Sequence, residues 1–194
     1  RAPTTMAKTM SARSNQLFRV GRIPWCGLAL AITLGGTTLE QLSLASLAKQ
    51  STAIVRARIV ASTNIVRGDY AYTEYRLALA DVWKTSRSTG RAPSQVAVPG
   101  GIAGGLRQMV SGAPVLQPGR EYVLFLWTSP RGLTQIMGLS QGLFSVESKE
   151  IAARAAASER IVDAAGYPVQ SNEIRLPVSE LKAQILQALG GKNR

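Results

Sequence analysis

The nine residues Ala53–Ala61 (AIVRARIVA) set Val55, Ala57 and Ile59 at alternate positions, with Arg56 and Arg58 between them. Period-two alternation places the apolar side chains on one face of an extended strand and the arginines on the other, which is the pattern of a half-buried β-strand. Tyr70–Lys84 (YAYTEYRLALADVWK) alternates again. Tyr70, Tyr72, Glu74, Arg76, Ala78 and Ala80 share one face, but Tyr75, Leu77, Leu79 and Val82 do not hold one register, so this long strand is expected to carry a bulge. Glu121–Thr128 (EYVLFLWT) is the most apolar run of the body and is predicted to be the central strand, covered on both faces.

Weaker signals fill in around these three. Asn64–Asp69 reads as a turn, Thr85–Pro93 as a Ser/Thr/Gly/Pro loop, and Gln95–Val98 as a short strand ended by Pro99-Gly100-Gly101. Leu106–Val110, Leu133–Met137 and Leu143–Glu147 are strand-like, the last two bracketing a Gly138–Gly142 turn. Thr38–Ser51 predicts a short amphipathic helix carrying Leu39, Leu42, Leu44 and Leu47, with Thr38 or Ser43 as N-cap. The alanine-rich stretch Lys149–Ala165 is expected to be helical, and Gly166–Arg175 loop-like. Ser179–Leu189 predicts a second amphipathic helix: Ser179 caps it, Leu181, Ile185, Leu186 and Leu189 form the stripe, and Gly190 stops it. Short strands, Gly/Pro turns and a terminal helix point to a mostly β (α+β) domain, a small barrel or sandwich with helical attachments. Closing a barrel would also protect the edges of such apolar strands.

Residues 1–37 differ in kind. They hold five basic residues (Arg1, Lys8, Arg13, Arg19 and Arg22) and no acidic ones. Arg13, Arg19 and Arg22 precede twelve uncharged, mostly apolar residues, Ile23–Leu34, which are followed by Gly35-Gly36-Thr37-Thr38. A positive flank, a short apolar core and a small-residue exit describe a secretory signal peptide, with Met6 or Met10 as its start and a mature chain beginning between Gly36 and Leu39. The run is shorter than the roughly 20 residues a membrane-spanning helix needs. The expectation is therefore a leader over 1–37 and a single exported domain over 38–194, periplasmic or extracellular, anchored to a membrane only if the leader stays attached.

The formal net charge is +12, of which the leader supplies +5. The remaining arginines are scattered among apolar residues and form no clustered basic face, so no specific nucleic-acid partner is expected. The chain has no histidine and one cysteine, Cys26. Histidine-based triads, histidine zinc ligands and intramolecular disulfides are therefore excluded. The acidic residues lack the spacing of a calcium loop; no metal and no cofactor is expected.

Two glycine-rich motifs remain. Gly138-Leu139-Ser140-Gln141-Gly142 matches G-x-S-x-G, but the strand-like Leu143-Phe144-Ser145-Val146 follows it where a nucleophile elbow requires a helix. None of Lys49, Lys84, Lys149 and Lys182 stands in an S-x-x-K relation to Ser140. A β-turn with a locally bonded Ser140 or Gln141 accounts for the motif. Pro99–Gly105 lacks the Lys-Ser or Lys-Thr of a phosphate loop and reads as a flexible or bulged hairpin, with Arg107 and Gln108 as its polar contacts. The candidate binding residues are Gly100, Gly101 and Arg107 on this loop and Ser140 and Gln141 on the turn. Tyr70, Tyr72 and Tyr75 with Arg76 read as strand packing and rim.

Leu44–Val60 with its Ile54–Val60 core, Pro99-Gly100-Gly101, Gly112-Ala113-Pro114, Gly119–Leu126 and Gly138–Phe144 together resemble a group of uncharacterised exported bacterial proteins, over roughly Leu39–Val146. The opening strand and the Gly119-Arg120-Glu121-Tyr122 stretch are also similar to netrin-like and metalloproteinase-inhibitor modules. That similarity implies an OB-like, Greek-key β-barrel. The inhibitors' zinc-chelating N-terminal cysteine has no counterpart after Cys26. The sequence thus leads to an exported, non-catalytic binding domain whose partner is another exported protein or a glycan. The alternatives are an unusual Ser140-dependent hydrolase and a structural envelope protein tethered by an uncleaved N-terminal segment.

Overall fold

A computed structural model describes residues 38–86 and 90–190; the leader expected over 1–37 lies outside these residues. In chain order they form β1 (Thr38–Glu40), α1 (Leu44–Gln50), β2 (Ala53–Arg67), β3 (Tyr70–Lys84), β4 (Gln95–Pro99), β5 (Gly101–Ala103), β6 (Leu106–Gln108) and β7 (Glu121–Thr128). There follow β8 (Thr134–Ile136), β9 (Leu143–Glu147), β10 (Ile151–Arg154), β11 (Arg160–Val162), β12 (Pro168–Val169), β13 (Ile174–Pro177) and α2 (Val178–Gly190).

The main sheet is antiparallel throughout and runs β13-β10-β9-β7-β2-β3-β4. β8 pairs with the far end of β7 beyond β9. A small sheet, β1-β11-β12, and a separate hairpin, β5-β6, complete the strands.

Parity along β2 and β7 divides the core in two. Val55, Ala57 and Ile59 join Leu124, Leu126, Val96 and Val98 on one face. Ile54, Val123 and Phe125 point to the other, where they meet Phe144, Leu47 of α1, and Val178, Leu181 and Ile185 of α2. β7 is thus the doubly covered strand its apolar run predicts. Complete burial of each such Leu, Ile or Phe contributes about 1.5–3 kcal/mol, so both faces carry weight.

Among the described residues, no helix covers the first face. The sheet curls until β4 lies beside β8, and Leu116 from the following loop fills the interior. The barrel nevertheless does not close. β7 gives most of its second edge to β9, and the sheet continues into β10 and β13, away from β4. Only the three residues of β8 remain opposite β4, and no ladder joins the two. The described residues therefore form an open, curled antiparallel sheet with two helices on one face.

Several local expectations are corrected. Asn64–Arg67 continue β2, and the turn is the two-residue Gly68–Asp69, with Gly68 at φ +60°. The first helix starts at Leu44, where Ser43 Oγ accepts from the Ser46 amide at 3.0 Å. Leu39 is taken instead by the parallel pairing of β1 with β11. Lys149–Ala165 is not helical: Lys149 and Glu150 have left-handed backbones (φ +63° and +58°), and Ala152 and Ala153 are buried in β10. Gly166–Arg175 contains β12 and the start of β13. α2 begins at Val178, so Ser179 lies inside it, and Leu186 faces outward while Val178 takes a place in the stripe. The bulge expected of the Tyr70–Lys84 strand is present: the β2-β3 register shifts at Ile54/Val55, Arg56/Ala57 and Ile59/Ala61, and along β3 Tyr75 and Leu77 are buried while Leu79 and Val82 are exposed.

Candidate binding surfaces

The Pro99–Gln108 stretch forms a hairpin laid against the end of the β2-β3 hairpin. The Gly100 amide donates to Ala71 O at 2.9 Å, and the Ala71 amide donates to Gln108 Oε1 at 2.9 Å. Thr73 Oγ1 lies 3.1 Å from both Gly100 O and Asn64 Oδ1. Gly101 sits at φ +133°, where a Cβ would press on Thr73 Oγ1 and Asn64 Oδ1 at 3.0 and 3.1 Å. Glycine is thus required by both backbone and space. The framework is bonded, yet the side chains it carries face outward: Ile102 is 61% exposed, and Leu106, Val66, Tyr70 and Met109 are exposed around it. Arg107 is also exposed. Gln108 is spent on the framework.

Ser140 and Gln141 lie on a 3-10 turn, Leu139–Gly142, between β8 and β9. Gly138 and Leu139 enter it with left-handed backbones, φ +62° and +53°. The turn leads into a strand, not into the helix of a nucleophile elbow. Gln141 is buried. Its Oε1 accepts from the Leu42 amide at 2.8 Å, and its Nε2 donates to Glu40 O at 2.9 Å. One side-chain amide therefore ties the linker between β1 and α1 to the turn.

Ser140 Oγ donates to Glu159 Oε2 at 3.2 Å, and Ser158 Oγ donates to Glu159 Oε1 at 2.5 Å. Glu159 is buried and lines a cleft of about 360 Å³ together with Gly112, Pro114 and Ser140. On the neighbouring strand, Arg154 Nη1 donates to Gln141 O at 3.1 Å, and its guanidinium lies 5.3 Å from the Phe144 ring centroid. Burial lowers the pKa of this guanidinium from its ordinary value.

The five residues singled out in the sequence thus fall into two groups on different elements. Gly100, Gly101 and Arg107 belong to the hairpin on β2-β3; Ser140 and Gln141 belong to the turn beside β1 and Glu159. No hydrogen bond or ion pair among the described residues joins the two groups. Sequence reasoning missed Glu159. It is an isolated acid in a Ser/Ala stretch, brought to Ser140 only by the fold. Among the described residues, no three Cys, Asp or Glu side chains gather as a metal site.

No known family model matches the chain, and no curated protein matches it.

Proposed function

We propose that the chain is an exported, non-catalytic binding domain that recognises its partner through the β5-β6 hairpin. The observation carrying this reading is the exposure of Ile102 and Leu106 on the hairpin and of Met109 just after it, the hairpin being anchored to β3 through the Gly100 backbone and the Gln108 side chain. A rigid support holding apolar side chains in water pays the ordering cost before binding. The Arg13–Thr38 leader pattern supports export, and the partner is then another exported protein or a glycan.

The strand order β7-β2-β3-β4, with the fourth strand returning beside the first, supports a Greek-key relationship to OB-like modules in an unclosed form. The likeness of Leu44–Val60 and Gly119–Leu126 to exported bacterial proteins supports the same reading. The absence of histidine and the strand that follows Ser140 support a non-catalytic role.

The test is capture from the native pool of exported proteins and glycans by the immobilised full chain and by an Ile102→Asp, Leu106→Asp form. A partner kept by the first and lost by the second is expected. Equal retention, or none by either folded form, overturns the hairpin as the site. Labelling of Ser140 by a fluorophosphonate overturns the non-catalytic reading.

A further inference from the structure

Glu159 is the most enclosed acidic side chain among the described residues and the only one there that is buried. Six other carboxylates are held by cations, and the four remaining ones without an ion pair among the described residues, Glu40, Asp69, Asp163 and Glu180, are not buried. Glu121 and Glu150 pair with Arg56, Asp81 with Lys182, Glu74 with Arg67, and Glu147 and Glu173 with Arg175. Glu159 has no ion pair with any Lys or Arg of the described residues; its partners are the hydroxyls of Ser140 and Ser158. The nearby Arg154 is engaged with Gln141 O and the Phe144 ring. A buried carboxylate is costly unless a positive charge compensates it, and neutral hydroxyls compensate only in part. In a chain with 23 basic residues and 11 acidic ones, a cation for this position would have been easy to supply.

The cleft beside it has a matching shape. Pro114, Leu143, Ala153, Ala155 and Ala156 form apolar walls, and the carboxylate with its two serines stands at one side. Each carboxylate oxygen keeps acceptor capacity after its hydroxyl bond, and each hydroxyl oxygen keeps lone pairs. An ammonium group brings three donors and no acceptor, which suits this set, and an alkyl stem suits the walls. A volume of about 360 Å³ fits such a group and falls at the small end of ligand sites.

We infer that the Glu159 cleft is a second binding site, for a primary ammonium on an alkyl stem. The chemistry is shared by the side chain of a partner's lysine and by a free aliphatic amine. The inference does not rest on the hairpin, which lies on other elements.

The test is an amide chemical-shift titration of the full chain with three probes: 1,5-diaminopentane, its neutral isostere 1,5-pentanediol, and the blocked tetrapeptide AKLA. At concentrations on the order of 10 mM, the diamine or the peptide is expected to move the Gly112, Ser140 and Ser158 amides, and the diol to leave them in place. Response to the peptide alone assigns the site to a partner's lysine; response to the diamine assigns it to a free amine. Glu159→Gln is expected to weaken binding at least about tenfold, and Glu173→Gln to leave it unchanged. If Glu159→Gln does not fold, the contrast between diamine and diol on the unmodified chain decides. Failure of both amines to move these amides, or an equal response to the diol, overturns the inference.

Discussion

Arg56 and Glu150 face each other as a two-point pair: Nη1 lies 2.6 Å from Oε2 and Nη2 2.8 Å from Oε1. The same guanidinium donates Nε to Glu121 Oε1 at 2.6 Å. One side chain on β2 therefore ties β7 to the turn between β9 and β10. The two carboxylates are not equivalent, since Glu121 is 18% exposed and Glu150 63%. Water screens the second pair far more than the first. Glu121→Gln is expected to lower the urea midpoint more than Glu150→Gln does. Arg56→Ala, which strips the half-buried Glu121 of its main partner, is expected to cost about 2 kcal/mol.

Asp81 links β3 to α2 and makes that docking pH-dependent. Its Oδ2 accepts from Lys182 Nζ at 2.6 Å and from Trp83 Nε1 at 2.8 Å, and Lys182 stands 5.7 Å from the Trp83 ring centroid. The hydrogen bond to Lys182, followed by the one to Trp83, lowers the Asp81 pKa from 3.8. A carboxyl whose folded pKa is depressed stabilises the fold above its unfolded value and loses that contribution as pH falls through the folded one. The stability gap between the parent chain and Asp81→Asn is therefore expected to be constant at neutral pH and to shrink below about pH 4. Urea unfolding at pH 7 and in steps below pH 4 measures it; a gap that widens in acid would contradict this sign.

The turn after β9 holds two successive non-glycine residues at positive φ, Lys149 and Glu150. Glu150 is retained there by Arg56, whereas Lys149 is 63° in φ with no ion pair among the described residues. A left-handed backbone costs a side-chain-bearing residue roughly 1–2 kcal/mol, part of which glycine gives back through its unfolded-state entropy. Lys149→Gly is expected to stabilise the chain by about 0.5 kcal/mol, read as a rise in the denaturant midpoint at unchanged slope.

Gly112 and Gly119 separate steric from backbone effects. Both have positive φ, +78° and +82°, but only at Gly112 would a Cβ collide with the Glu159 carboxyl; at Gly119 nothing lies within 4 Å. Gly119→Ala is expected to cost about 1 kcal/mol from backbone strain alone. Gly112→Ala adds displacement of a buried side chain and is expected to cost about 2 kcal/mol more. Equal falls in thermal midpoint would show that Glu159 moves aside freely.

What was legible in the sequence follows from where the signal is local. β2, β3 and β7 declare themselves through period-two or continuous apolar runs, because burial on one face or two dictates residue type position by position. The alanine-rich stretch misled because alanine's helix propensity is a local preference. Ala152 and Ala153 answer instead to a tertiary demand, close packing between β9 and β13. The same limit applies to the sites. The glycines at 100 and 101 advertise a special backbone. Nothing near Ser140 in sequence announces Glu159, nineteen residues on, and nothing near Gln141 announces Leu42, ninety-nine residues earlier.

That last pairing gives the sharpest local test. Gln141 uses both ends of its amide on backbone groups of one linker, accepting from the Leu42 amide and donating to Glu40 O. Gln141→Glu keeps the acceptor but removes the donor, leaving Glu40 O facing a carboxylate; Gln141→Ala removes both. Leaving a buried polar group without its partner costs about 1–3 kcal/mol. The cost is expected to fall on residues 38–43 before it reaches the main sheet, because this segment is held elsewhere chiefly by β1-β11 pairing and by the Gln41 amide bond to Val162 O. Hydrogen exchange at the Leu42 amide should accelerate by about tenfold or more in Gln141→Ala, while amides of β7 keep their protection. In Gln141→Glu the Leu42 amide should stay protected better than in Gln141→Ala. Uniform acceleration across β7 and Leu42 would instead mean that the linker and the sheet unfold as one unit.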